Sequence, residues 1–174
     1  LFNSVGFLLG FLPIVLIGFL VLRRYDNLNL LLIWLTLASF AFYAAWEPIY
    51  LLLLLISIAF NYAIGRMLLA NRSRQLLIFA VVANAGLLCY YKYLDFLVKN
   101  INWLLGLNLG TPGIFLPLVI SFITFVQIAF LVDIYRGDIK EIELKRYALF
   151  ASYFPHLIAG PIIRPEEIHQ QLVT

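Results

Sequence analysis

Six runs of 17 to 22 residues without a charged side chain divide this sequence, at positions 1–22, 27–46, 48–65, 75–91, 114–132 and 147–163. An α-helix rises about 1.5 Å per residue, so each run roughly matches the ~30 Å hydrocarbon core of a bilayer. Lipid offers no partner to backbone N–H and C=O groups, so such a run must satisfy them internally, as a helix does. The expected fold is all-α, a polytopic integral membrane bundle of about five to six segments. Composition agrees, with 64% hydrophobic and 12% charged residues, where soluble chains hold about a quarter charged. No linker, repeat or low-complexity stretch interrupts the pattern, and residues 1–174 read as one membrane domain.

The first run lacks a basic segment before it and a small-residue cleavage site after it, so it reads as a span rather than a cleavable signal. Arg23 and Arg24 follow it. Basic loops stay on the cytoplasmic side, which puts the N-terminus outside and the loop at 23–26 inside. Carried along the chain, Arg23, Arg24, Arg66, Arg72, Arg74, Arg136, Lys140, Lys145 and Arg146 fall inside, while Lys92, Lys99 and Arg164 fall outside, nine against three. The expected setting is a bacterial inner membrane, with the lipid bilayer as first partner. These loops account for the net charge of +3, which leaves no support for nucleic acid as a partner. Cys89 is the sole cysteine, so no internal disulfide is available. HExxH, Gly-rich phosphate loops and Ser-x-x-Lys are absent from the sequence; no metal site and no cofactor is expected.

Between the runs the sequence is also informative. Tyrosines and Trp46 cluster at span ends, where amphipathic rings settle at headgroup level. Trp46-Glu47-Pro48 leaves almost no loop between the second and third runs, which predicts a tight outer turn and a helix hairpin. Across 93–107, Leu94, Leu97, Ile101 and Leu104 make an apolar stripe opposed by Asp95, Lys99, Asn100 and Asn102, the pattern of an amphipathic helix in the outer interface. Asp133 and Arg136 stand three apart, the spacing of an ion pair on one helix face. Ser121, Thr124, Gln127, Asn61 and Asn84 are polar groups inside spans, of the kind that ties helices together.

The last run is the unusual one. Pro155, Gly160 and Pro161 break it before it reaches Arg164, and interrupted backbone at membrane depth requires protein or a wet cavity around it. A broken or re-entrant segment at 154–164 is the expectation; a kinked span with Arg164 as an interfacial anchor is the plainer alternative. His156 carries the side chain most used as a general base, but it reads as a lining residue, and His169 in the polar tail reads as solvated.

The words Leu116-Pro117-Leu118-Val119-Ile120-Ser121-Phe122-Ile123-Thr124-Phe125, Asp133-Ile134-Tyr135-Arg136-Gly137 and Phe154-Pro155-His156-Leu157-Ile158-Ala159-Gly160-Pro161-Ile162-Ile163-Arg164 carry a resemblance, as does Phe40-Ala41-Phe42-Tyr43-Ala44-Ala45-Trp46. The chain resembles the membrane-bound O-acyltransferase family, in its bacterial branch that acetylates alginate and related exopolysaccharides. The resemblance implies transfer of an acyl group, acetyl in that branch, from a donor on the cytoplasmic side to a polysaccharide hydroxyl or a partner acetyltransferase on the outer side. It implies that Pro155, Gly160, Pro161 and Arg164 shape the catalytic chamber, with His156 lining it, and that Asp133 and Arg136 lie on the donor side. The family's catalytic histidine belongs to a later span, so this chain is expected to hold no catalytic residue, to be the N-terminal part of the enzyme and to be inactive alone. D-alanyl transfer to teichoic acid is the rival within the family. A transporter subunit or a non-catalytic scaffold is the rival from another class.

Overall fold

The computed structural model describes residues 6–25, 27–46, 48–110, 113 and 120–153. The expectations placed on Glu47, on 154–164 and on His169 lie outside them. Every element among the described residues is helical: a π-helical turn Phe7–Phe11, then α1 (Leu12–Arg23), α2 (Leu28–Trp46), α3 (Pro48–Ala70), α4 (Arg74–Leu105), α5 (Ile120–Arg136) and α6 (Leu144–Ser152). Each charge-free run holds a helix over its described residues, and the chain is an all-α membrane bundle. Three helices, Leu28–Ala45, Pro48–Ala70 and Arg74–Leu105, are long and apolar enough to cross a bilayer, and Phe7–Arg23 is a shorter apolar helix.

Two compact units divide the chain, one of residues 1–62 and 141–174 and the other of residues 63–140. In the first, α2 packs on α1 and on α6. The core there is Val15 of α1, Leu31, Leu32, Leu35, Ala38 and Phe42 of α2, and Leu149 of α6. Close approach of α1 depends on Gly18, because a Cβ there would overlap the indole of Trp34, whose Nε1 donates to the Val15 carbonyl at 3.1 Å. In the π-helical turn the Leu12 amide bonds to the Phe7 carbonyl, five residues back, directly before Pro13, which has no N–H to continue the ladder. Phe7 and Phe11 stack at 5.7 Å, and both meet the ring of Phe42, at 5.7 and 5.9 Å. One residue separates α2 from α3, as the tight-turn reading requires. The expected α2–α3 hairpin is corrected, however: the packing surface of α2 is taken by α1 and α6 rather than by α3.

In the second unit α5 packs along α4, burying Thr124, Val126, Gln127, Phe130, Leu131 and Ile134, with Ala80 and Asn84 buried on α4. The polar groups are largely turned back on their own helices. Thr124 donates to the Ile120 carbonyl at 2.8 Å and Asn84 to the Ala80 carbonyl at 2.8 Å, which lets a polar residue sit in an apolar span without an orphaned donor. Ser73 caps the start of α4, its Oγ accepting from the Leu76 amide at 3.4 Å. The stretch at 93–107 is helical as expected, but it continues α4 without a break. The resulting helix has 32 residues, about 48 Å at 1.5 Å per residue, so it exceeds a ~30 Å hydrocarbon core. Its far end is closed by Asn102, whose side chain donates to the Leu109 carbonyl at 2.8 Å and accepts from the Leu109 amide at 2.9 Å. Trp103, 84% exposed, and Leu104, 73% exposed, project from that end, in keeping with an interfacial location.

Candidate functional site: a half-length helix beside α1 and α2

The sequence of α6 explains both where it begins and where it stops. Glu143 precedes it in extended conformation, and its carboxylate meets Arg146 Nε at 2.9 Å. Both side chains are about half exposed, so the pair adds little stability. Lys145 Nζ donates to Asn29 Oδ1 at 3.2 Å, which fixes the first turn of α6 against the first turn of α2. From there Leu149 enters the α1–α2 core and Tyr153 packs against it. The later residues of α6 therefore lie progressively further along α2, and the two helices run parallel.

After nine residues α6 ends at Ser152. At 1.5 Å per residue that is about 13 Å, less than half of a ~30 Å core. No glycine closes it. Tyr153 turns to φ −60° and ψ 103°, and Pro155 lies two residues on, where proline pushes its predecessor out of the helical region. Ser152 Oγ donates to the Ala148 carbonyl at 2.7 Å. The last four carbonyls of a helix lack intrahelical partners and form its negative pole. In α6 they belong to a buried turn, with Leu149, Ala151 and Ser152 all out of solvent. Tyr147, buried on the same helix, stacks on Tyr62 of α3 at 6.1 Å.

The other sequence-predicted site residues behave differently. Pro155, His156, Gly160, Pro161 and Arg164 lie outside the described residues. Asp133 and Arg136 are on the last turns of α5, but the expected ion pair between them does not form among the described residues. Their word serves helix termination instead. Gly137, at φ +87°, donates to the carbonyls of Asp133 at 3.1 Å and Ile134 at 3.0 Å, and the Asp138 amide returns to the Asp133 carbonyl at 3.0 Å. That is a Schellman cap, in which the left-handed residue is normally glycine. Sequence reading missed that Arg72 lies on this cap: a Cβ on Gly137 would fall 2.7 Å from Arg72 Nη2 and 2.9 Å from Cζ. The guanidinium thus rests at the negative end of α5, a favourable place for a cation. Glycine directly after the last helical residue was the available signal.

No family profile and no solved structure matches the chain. Curated relatives do. A peptidoglycan O-acetyltransferase of Helicobacter pylori is 36% identical over 98% of this chain and 38% of the relative. A probable alginate O-acetylase AlgI of Pseudomonas aeruginosa is 38% identical over 98% of this chain and 34% of the relative, and one of Azotobacter vinelandii is 36% identical over 98% and 35%. The chain spans little more than a third of the length of these relatives. Identity at this level across nearly all of a helical membrane chain is the resemblance carried by the Asp133–Gly137 and Phe154–Arg164 words extended over the whole sequence, and the chain belongs to the membrane-bound O-acyltransferase family.

Proposed function

We propose that this chain is the N-terminal part of a membrane O-acetyltransferase that moves an acetyl group from a donor on the cytoplasmic side to a hydroxyl of an exported polysaccharide such as alginate. The observation that carries this reading is the match along 98% of the chain to proteins named as O-acetyltransferases and O-acetylases. The half-length α6 supports it, because chemistry within a membrane needs backbone and side chains held at depth, away from lipid. A sugar hydroxyl becomes a competent nucleophile only when a base takes its proton, and the acetyl carbonyl must be held within reach of it in a water-poor channel. The oxygen then bonds to the carbonyl carbon, the bond from that carbon to the donor breaks, and the donor leaves with the electron pair.

In this reading the base is a histidine beyond Thr174. Pro155, Gly160, Pro161 and Arg164 shape the chamber, His156 lines it, and Asp133 and Arg136 belong to the donor side. Residues 1–174 alone supply one wall and no acetyl transfer. The membrane is taken as a bacterial inner membrane with the N-terminus outside. Relatives named for alginate and for peptidoglycan leave two glycans to assay. Acetyl esters released by mild alkali from exopolysaccharide and from purified peptidoglycan are compared between cells with the intact full-length gene and cells without it. The expected result is at least a tenfold loss of ester in one fraction, restored by the full gene and not by residues 1–174. Unchanged ester in both fractions would refute acetyl transfer and favour the transporter or scaffold alternative.

A further inference from the structure

The distal part of α4 carries aromatic rings where its amphipathic pattern has no use for them. An α-helix turns about 100° per residue, which puts Leu94, Leu97 and Ile101 on one face of this segment. Lys92, Phe96, Lys99 and Trp103, spaced four, three and four apart, fall on the opposite face within an arc of about 60°. Cation and ring alternate along it. All four side chains are exposed, Phe96 at 63% and Trp103 at 84%. Asp95 flanks the stripe, but it is partly buried with Oδ1 out of solvent, so the open charge of this face is positive. An interfacial helix turns its leucine face to lipid and the opposite face to water; two large rings on that water face gain nothing from the membrane. The helix is also long enough to present them: its 32 residues make about 48 Å, more than a bilayer of about 40–45 Å with its headgroups. Its end is fixed in place. Gly106, at φ +62°, closes the last turn, and the Leu107 amide donates to the Asn102 carbonyl at 3.1 Å.

We propose that this stripe binds a strand of acidic polysaccharide, Phe96 and Trp103 stacking on sugar rings while Lys92 and Lys99 pair with uronate carboxylates. The proposal rests on the acetyl-transfer reading, which brings an exported glycan to the outer side and whose acceptor class it names. With basic loops inside, the end of α4 away from Arg72 and Arg74 is the outer one. Charge selects the occupant. The electron-rich faces of aromatic rings attract the C–H groups of any sugar ring, but only a glycan bearing carboxylates also answers two lysines. Phe96 and Trp103 are seven residues apart, about 10 Å along the helix, so one extended strand reaches both.

The test uses the purified full-length protein in nanodiscs of zwitterionic phosphatidylcholine, with de-O-acetylated alginate oligomers as the acidic probe and dextran oligomers as the neutral one. Trp103→Ala should weaken binding of the acidic oligomer about five- to tenfold at any salt concentration. Lys99→Gln should weaken it about two- to threefold at low salt, a loss that disappears at high salt and is absent with dextran. Unfolding midpoints should not move, because both side chains are exposed. The photo-crosslinking residue p-benzoylphenylalanine at position 96 should label the acidic oligomer. No binding of that oligomer, or equal binding by the unsubstituted protein and both variants, would overturn the proposal. Cross-links from position 96 to phospholipid or to protein that persist with oligomer present would also overturn it, giving the stripe to the membrane or to another segment. Binding is measured apart from ester formation, so the two readings fail separately: ester formed with both variants binding normally removes only this contact, and oligomer held by the stripe with no ester formed removes only acetyl transfer.

Discussion

Gly137→Val is expected to destabilise the full-length protein by about 2–3 kcal/mol, read as a lowered unfolding midpoint in detergent. Two separate effects add. Gly137 sits at φ +87°, where an L-residue with a Cβ loses about 1–2 kcal/mol and a β-branched one more. The new side chain also enters the space of the Arg72 guanidinium, 2.7 Å from the Cβ position, and displaces this exposed, flexible group from the cap at little further cost. Two variants separate them. Gly137→Asn tolerates the left-handed conformation and should show only the small cost of displacing Arg72. Gly137→Ala combined with Arg72→Ala removes the collision and should show mainly the conformational strain. If Gly137→Val unfolds at the temperature of the unsubstituted protein, the cap on α5 is not what ends that helix.

The second large effect is expected at Gly18. Replacement by leucine drives the Trp34 indole off the surface of α1, breaking its hydrogen bond to the Val15 carbonyl. Loss of that bond costs about 1 kcal/mol and the overpacking about 1–3 kcal/mol, for a total of about 2–4 kcal/mol. Alanine, an intrinsically better helix former than glycine by about 1 kcal/mol, should still destabilise, because the Cβ alone overlaps the ring. In a double-mutant cycle with Trp34→Ala the two changes should be strongly non-additive, the second substitution relieving the first. Additive effects would mean that α1 and α2 do not meet at this contact.

Much of this architecture was legible in the sequence, for a simple reason. Lipid forces helix wherever a long charge-free run crosses it, and each of the six runs holds a helix, although α4 continues past Lys92 to Leu105 and α6 stops at Ser152. The stripe at 93–107 was legible as helix but not as a continuation of α4. Residues 91–93 supply no breaker, and nothing in Tyr91-Lys92-Tyr93 obliges the helix to stop at the membrane surface. Packing partners were less visible. That α2 takes α6 as a neighbour depends on Lys145 and Asn29, 116 positions apart, and on which of many similar leucines face inward, which periodicity in an all-apolar run does not mark. The Asp133–Arg136 spacing suggested an ion pair, yet helix termination claimed those residues because Gly137 fixes the cap.

The account turns on α6: a nine-residue helix that packs along α2, ends at Ser152 and keeps its last turn buried against α1 and α2. Placing the photo-crosslinking residue p-benzoylphenylalanine at Tyr153, in the full-length protein in native membranes, tests this most directly. Tyr153 packs against the core built from α1 and α2, so irradiation should yield intramolecular cross-links to peptides from 7–46 and no lipid adduct. A predominance of phospholipid adducts at position 153, or labelling by water-soluble reagents alone, would contradict it.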